Sequence, residues 1–217
     1  MTAKTAKTAK TGRRHRQGDE SRLAILDATL EIAAERGYDG TTVALVQEAT
    51  GLPASSIYWH FGSKDQLLAA TLEHSYLSWR ATAPTWKAAP EPEDFEDRVE
   101  RRFQRAAHSL TASPQFWSLG LLLTLQQRVK EPAARRLYAE VRQDTERAIR
   151  DWWTSVLTPE AGEGDPELTT RLARFHMMFM DGLFLQVRSS DHKDVKRLVS
   201  LAARGLARHL ERMGAAS

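Results

Sequence analysis

Thr42-Val43-Ala44-Leu45-Val46-Gln47-Glu48-Ala49-Thr50-Gly51-Leu52-Pro53-Ala54-Ser55-Ser56-Ile57-Tyr58-Trp59-His60-Phe61 is the stretch that decides the fold. It reads as two short helices about a glycine. Thr42 is a good N-cap for the first, and Gly51 breaks the chain after it. Pro53 suits the first turn of the second, expected at 53–60, because its missing N–H has no intrahelical partner there. Val43, Val46 and Ala49 are expected to face inward from the first helix, and Ile57 and Phe61 from the second. Helices this short are not stable alone. Leu23, Leu26, Leu30 and Ala33 upstream recur at helical spacing and offer a supporting face ending at Gly37. The three together make a helix-turn-helix unit on a three-helix core.

In such units the second helix enters the DNA major groove, and its early residues meet base edges. The same pattern also occurs in helical proteins that touch no DNA. The outer side of 53–60 favours the first reading. It presents Ala54, Ser55, Ser56, Tyr58, Trp59 and His60, small or hydrogen-bonding groups plus aromatics, where a solvated face more often carries Lys and Glu.

Working outward, Ser63 is placed to cap a longer helix with Leu67, Leu68, Leu72 and Trp79 on one side, and Pro84, Pro90 and Pro92 mark a break. Phe95, Val99, Phe103, Ala106 and Leu110 form a helical stripe, then a short turn is expected around Phe116-Trp117 between Pro114 and Gly120. Residues 121–129 read as an apolar helix, and Leu137, Val141, Ala148, Trp152 and Val156 as another stripe. Residues 159–166 read as a loop, and 168–187 and 195–210 as the two last helices. No alternation or hairpin dipeptide predicts a strand, so the fold class is all-α.

Charge is distributed unevenly. The net charge is +3 over 217 residues. Residues 1–22 hold seven cations (Lys4, Lys7, Lys10, Arg13, Arg14, Arg16, Arg22) against Asp19 and Glu20, a net +5. Residues 23–70 hold Arg36 and Lys64 against six anions, a net −4. DNA affinity comes largely from phosphate neutralisation. The basic segment, with Arg13, Arg14 and Arg16, is therefore expected to supply what the helix-turn-helix body lacks, as basic N-terminal arms do. Residues 1–19 have three Ala-Lys-Thr repeats and no large apolar residue after Met1, which predicts disorder in isolation. The plainer reading of this segment is a solubilising tail.

The absence of cysteine excludes disulfides, thiolate metal sites and cysteine nucleophiles. The seven His show no metal-ligand spacing, and no phosphate-binding glycine loop or Gly-x-Ser-x-Gly is present, so neither an enzyme nor a cofactor is expected. No apolar run reaches the roughly 18 residues of a membrane span, and the basic N-terminus lacks the apolar core of a signal peptide. A soluble cytoplasmic protein is the default expectation.

Residues 22–69 resemble the DNA-binding domain of the tetracycline-repressor (TetR) family of bacterial regulators. The resemblance lies in Arg22, Ile25-Leu26, Ala28, Gly37-Tyr38, Thr41-Thr42-Val43, Gly51-Leu52, Ser56-Ile57-Tyr58, His60-Phe61 and Ser63-Lys64-Asp65 with Leu67-Leu68. Gln47 and Thr50 stand where that family usually has alanine, and Ser55 where glycine is common. The resemblance implies phosphate contacts by Thr42, Tyr58, His60 and Lys64, and base or sugar contacts by Ser55, Ser56 and Trp59. It implies three parts: a basic arm 1–19, a DNA-binding domain 20–66, and a helical ligand-binding and dimerisation domain 67–217. The partners implied are a near-palindromic double-stranded operator, a small-molecule effector, and a second copy docked through 166–189 and 194–212.

For the effector site, aromatics with a few polar groups are the expected lining. Phe103, Trp117, Leu122, Gln126, Trp152, Phe175, His176 and Phe179 are the candidates, although each taken singly is better explained as core. The function expected is a ligand-responsive regulator, a repressor released from its operator. The alternative is a helical small-molecule binder or scaffold whose helix-turn-helix is purely structural.

Overall fold

The computed structural model describes residues 3–82, 94–112, 114–125, 132–189 and 194–216, with backbone alone for 3–16, 82, 112, 132 and 189. Ten helices are seen among them: α1 Ala3–Gly40, α2 Val43–Thr50, α3 Ala54–Phe61, α4 Lys64–Thr82, α5 Phe95–Ala112, α6 Pro114–Leu125, α7 Pro132–Val156, α8 Pro159–Gly164, α9 Leu168–Ser189 and α10 Val195–Arg212. The described residues contain no strand, in keeping with the all-α expectation.

Contacts divide the chain into two units. The first comprises 1–77 and 115–138, and the second 78–114 and 139–217. This contact grouping runs differently from the expected parts 1–19, 20–66 and 67–217. Helix α6 falls in the first unit, where Phe116 meets Tyr76 of α4 and Tyr138 of α7.

In the first unit, α1, α2 and α3 pack on one another about Ile25, Leu26, Val46, Ile57, Phe61 and Leu67. Burying each such side chain contributes roughly 1.5–3 kcal/mol. The buried side of α1 keeps Leu26 and Ala33 of the expected stripe but not Leu23. Ile25, Leu26, Thr29 and Ala33 are buried, whereas Leu23 is 47% exposed. Thr29 is tolerated inside because its hydroxyl donates to the Ile25 carbonyl at 2.6 Å. The true stripe thus contains a polar residue that a hydrophobicity pattern skips. Ala49 is likewise exposed, not inward. Gly37 adopts φ 69°, the left-handed region that favours glycine, and kinks α1 near its end.

Residues 3–19, expected to be disordered in isolation, continue α1 as helix. Alanine and lysine are good helix formers, and neither glycine in this stretch is followed by proline, so the hydrogen-bond ladder runs on. Helix α6 is continuous where a turn was expected around Phe116-Trp117. Gly120 is kept there by a close approach: an added Cβ would lie 2.0 Å from Cε2 of Tyr138. Tyr76, Phe116, Trp117 and Tyr138 form the surrounding cluster, with Phe116 centred 5.4 Å from Tyr76 and 5.6 Å from both Trp117 and Tyr138.

In the second unit, α9 and α10 both pack on α5. Val199, Ala203, Ala207 and Leu210 are the buried face of α10, and two alanines let the helices approach closely. Carboxylates of α5 answer arginines of α10. Arg204 donates to Glu96 at 2.6 Å and Asp97 at 3.1 Å, and also bonds Glu100; Arg208 donates to Glu96 at 2.8 Å. Hydrogen bonds from Arg208, then Arg204, hold the Glu96 carboxyl below its ordinary range. The expected loop at 159–166 contains the short helix α8, started by Pro159.

Candidate nucleic-acid interface

The helix-turn-helix is fixed by local hydrogen bonds. Thr42 caps α2, its hydroxyl oxygen accepting from the Leu45 N–H at 3.3 Å. At the far end Gly51 takes φ 69° and its N–H donates to the Gln47 carbonyl at 2.8 Å. Thr50 earns its place beside this glycine. Its hydroxyl donates to the Val46 carbonyl at 2.7 Å and accepts from the Leu52 N–H at 3.2 Å, so it braces the turn. Gln47, the other departure from alanine, is exposed.

Pro53 stands at the N-cap of α3, which therefore begins at Ala54, one residue later than expected. Ile57 (1% exposed) and Phe61 (6%) anchor α3 in the core. The opposite side carries exposed Ser55, Tyr58 and Trp59, with Ala54, Ser56 and His60 half-buried. Trp59 is 78% exposed and Tyr58 49%. A tryptophan so exposed on a short, well-anchored helix contributes little to the fold and is available to a partner. Its ring meets His60 edge-on, 4.7 Å between centres. Gly62 ends α3 at φ 74°, and Ser63 caps α4 by accepting from the Gln66 N–H at 3.1 Å. Lys64 lies with Nζ 4.9 Å from the centre of the Tyr38 ring, whose hydroxyl donates to Asp65 at 2.9 Å.

Arg22 reaches this end of α3 from α1. Its guanidinium carbon is 5.4 Å from the centre of the Phe61 ring. Burial first, then the charge of Arg22, hold His60 below its ordinary 6.5, with Asp19 acting the other way. Sequence reasoning counted Arg22 in the basic segment and in the family resemblance but gave it no place beside α3. Its seat beside α3 is a tertiary contact with no local signature. The side chains of Arg13, Arg14 and Arg16 lie outside the described residues.

The candidate effector residues divide. Phe103, Trp152 and His176 are fully buried in the second unit. Phe103 is centred 4.1 Å from His176 and 5.7 Å from Phe179, and the Arg102 guanidinium lies 5.2 Å from the Trp152 ring centre. Burial, then Arg102, push the His176 imidazole down to about 3, so it is neutral at any physiological pH. Phe175 is 42% exposed and stacks on Phe179, which places it on the outer side of α9, not among the buried aromatics. Trp117, buried, and Leu122, half-buried, belong to the first unit. Gln126 lies outside the described residues. Among the described residues no three His, Asp or Glu gather to hold a metal ion, and no helix is long and apolar enough to cross a membrane.

Known proteins share this arrangement. Residues 25–71 match the family of bacterial regulatory proteins, tetR family. The chain is 32% identical over 126 residues to the HTH-type transcriptional regulator BetI of Burkholderia thailandensis, a match covering 55% of this chain and 65% of that protein. It is 30% identical over 138 residues to BetI of Paraburkholderia xenovorans, covering 59% and 69%. The chain thus spans about two thirds of the length of these relatives. A TetR transcriptional regulator from Chloroflexus aurantiacus has the same fold, with TM-score 0.68, 20% identity and coverage of 91% of this chain and 97% of that one. From the capped helices and glycine turn of 42–61 to the relatives that match beyond them, the chain belongs to the tetR family of bacterial regulatory proteins.

Proposed function

We propose that the chain is a ligand-responsive, DNA-binding transcriptional regulator acting as a homodimer, in its simplest form a repressor released from its operator by a small molecule. The observation that carries this is the outer face of α3. Ser55, Tyr58 and Trp59 stand exposed on a helix whose other side, Ile57 and Phe61, is locked in the core. In this reading Ala54, Ser55, Ser56 and Trp59 meet base edges and sugars, while Thr42, Tyr58, His60 and Lys64 meet phosphates. No arginine lies on α3, so the commonest guanine contact is missing there, and Trp59 against thymine methyl groups takes more of the readout. The helix-turn-helix body is net acidic, so Arg13, Arg14 and Arg16 of the basic segment supply counter-charge.

Dimerisation is supported by apolar side chains left exposed in the single chain: Met178 and Leu185 on α9, Leu198 and Leu201 on α10. Gly182 and Gly205 on the same helices have open space before them, which suits close approach of a second copy. A twofold dimer presents two copies of α3 to two half-sites. Phe103, Trp152, His176 and Phe179, all of the second unit, are the residues assigned to the effector. Phe175 fits the dimer face better. An effector that binds better to a state with wrongly spaced recognition helices shifts the population away from DNA.

Selection of duplexes from a random pool by the purified chain, followed by gel-shift assay across salt concentrations, tests the reading. Enrichment of a near-palindromic site, bound less tightly as salt rises, is the expected result. Capture without sequence preference would favour a scaffold with a structural helix-turn-helix.

A further inference from the structure

We propose that Arg22 and His60 form one phosphate clamp at the C-terminal end of the recognition helix, with His60 taking up a proton as DNA binds. The inference rests on the DNA-binding reading above.

The two groups come from different helices. Arg22 lies on α1 and is seated against the Phe61 ring, its guanidinium carbon 5.4 Å from the ring centre. Phe61 is itself 6% exposed and held in the core, so the seat is rigid. His60 is the preceding residue on α3, and its ring is set edge-on to Trp59, the most exposed aromatic of the DNA-facing side. A helix C-terminus carries negative partial charge and repels phosphate. A phosphate lying there needs cations, and α3 has no charged residue of its own apart from what His60 becomes on protonation. The guanidinium fork suits a phosphate oxygen pair, and a fixed fork loses less freedom on binding.

Among the described residues the charges that act on His60 are those of Arg22 and Asp19 on α1. Helix α4 begins with Lys64 and Asp65, and the Lys64 ammonium sits over Tyr38. In the free protein His60 is held below 6.5, chiefly by burial and then by Arg22, and is neutral at pH 7. A phosphate placed against both groups adds an opposite charge and offsets the Arg22 charge. The folded, DNA-bound imidazole then holds its proton to higher pH than the free one. Between those two values binding takes up a proton, so affinity rises as pH falls through that window.

The test is fluorescence anisotropy with the full-length chain and a labelled duplex recovered by random-site selection. Wild type, R22Q, R22K and H60Q are titrated over salt and over a range of pH around 6.5, with circular dichroism checking that each is folded. R22Q is expected to reduce the magnitude of the salt slope by about 0.9 for each half-site phosphate lost, while R22K keeps it. Wild-type affinity is expected to rise as pH falls, by up to about tenfold per pH unit per half-site, and H60Q is expected to be flat. A folded R22Q with the wild-type salt slope overturns the clamp. Should R22Q not fold, H60Q decides alone, and a wild-type pH profile in H60Q overturns the proton uptake. A wild-type chain that selects no duplex overturns the DNA-binding reading and the clamp together.

Discussion

Trp59→Ala separates recognition from folding at one position. The side chain is 78% exposed, and among the described residues its ring meets the neighbouring His60. Removing it takes almost no apolar surface from the core, so the expected change in stability is within about 0.5 kcal/mol, the range of ordinary surface substitutions. Were Trp59 a core residue, truncation to alanine would cost about 3–5 kcal/mol. Affinity for a selected duplex is expected to fall by about 1–3 kcal/mol, roughly 5- to 150-fold, as for loss of one good base contact. The substitution removes no charge, so the salt slope should stay at the wild-type value. Urea denaturation gives the stability change and anisotropy titration at several salt concentrations gives the affinity and slope. Unchanged affinity, or a loss matched by an equal loss of stability, would refute the assignment of Trp59 to the DNA face.

Other outcomes follow from the same structure. Deleting residues 2–17 removes six of the chain's cations and should lower both affinity and salt slope; unchanged values on the selected duplex would show the basic segment to be a tail. Leu201 is 73% exposed in the single chain, so Leu201→Glu should leave the monomer folded but prevent dimerisation, read by light scattering. Gly120→Ala drives a methyl group to 2.0 Å from Tyr138 and should destabilise the first unit by about 1–3 kcal/mol, with much of the loss recovered when Tyr138→Ala is added; a melting temperature like wild type would contradict the close approach. Glu96 and Glu100 are held below the ordinary carboxylate value, chiefly by hydrogen bonds from Arg208 and Ser200 respectively. Their stabilising effect is present above their unfolded value of about 4.3 and is lost as pH falls through the folded one. Stability measured at neutral pH and near pH 3 should therefore differ less in the Glu96→Gln, Glu100→Gln chain than in wild type.

Local chemistry made the centre of the fold legible. Thr42, Gly51 and Ser63 act through residues within four positions of themselves, and a sequence displays that directly. Ile57 and Phe61 obey the helical period. What failed is what depends on distant partners. Thr29 is the local exception: it hides in the core by bonding its own helix, so hydrophobicity pointed to Leu23 instead. Gly120 reads as a break until Tyr138 is seen to need its missing side chain. The grouping of α6 with the helix-turn-helix, the seat of Arg22 on Phe61 and the outward place of Phe175 are all tertiary facts. The aromatic candidates for an effector divided for the same reason: one helical stripe supplies both core and surface, and only packing tells which side is which.

The measurement closest to the central claim is random-site selection by the full-length chain, with the recovered duplex titrated against wild type and Trp59→Ala. The account predicts a near-palindromic site bound by a dimer, weakened by salt, and weakened further by the substitution at unchanged stability. Equal capture of all sequences, or a selected site that Trp59→Ala binds as tightly as wild type, would contradict it.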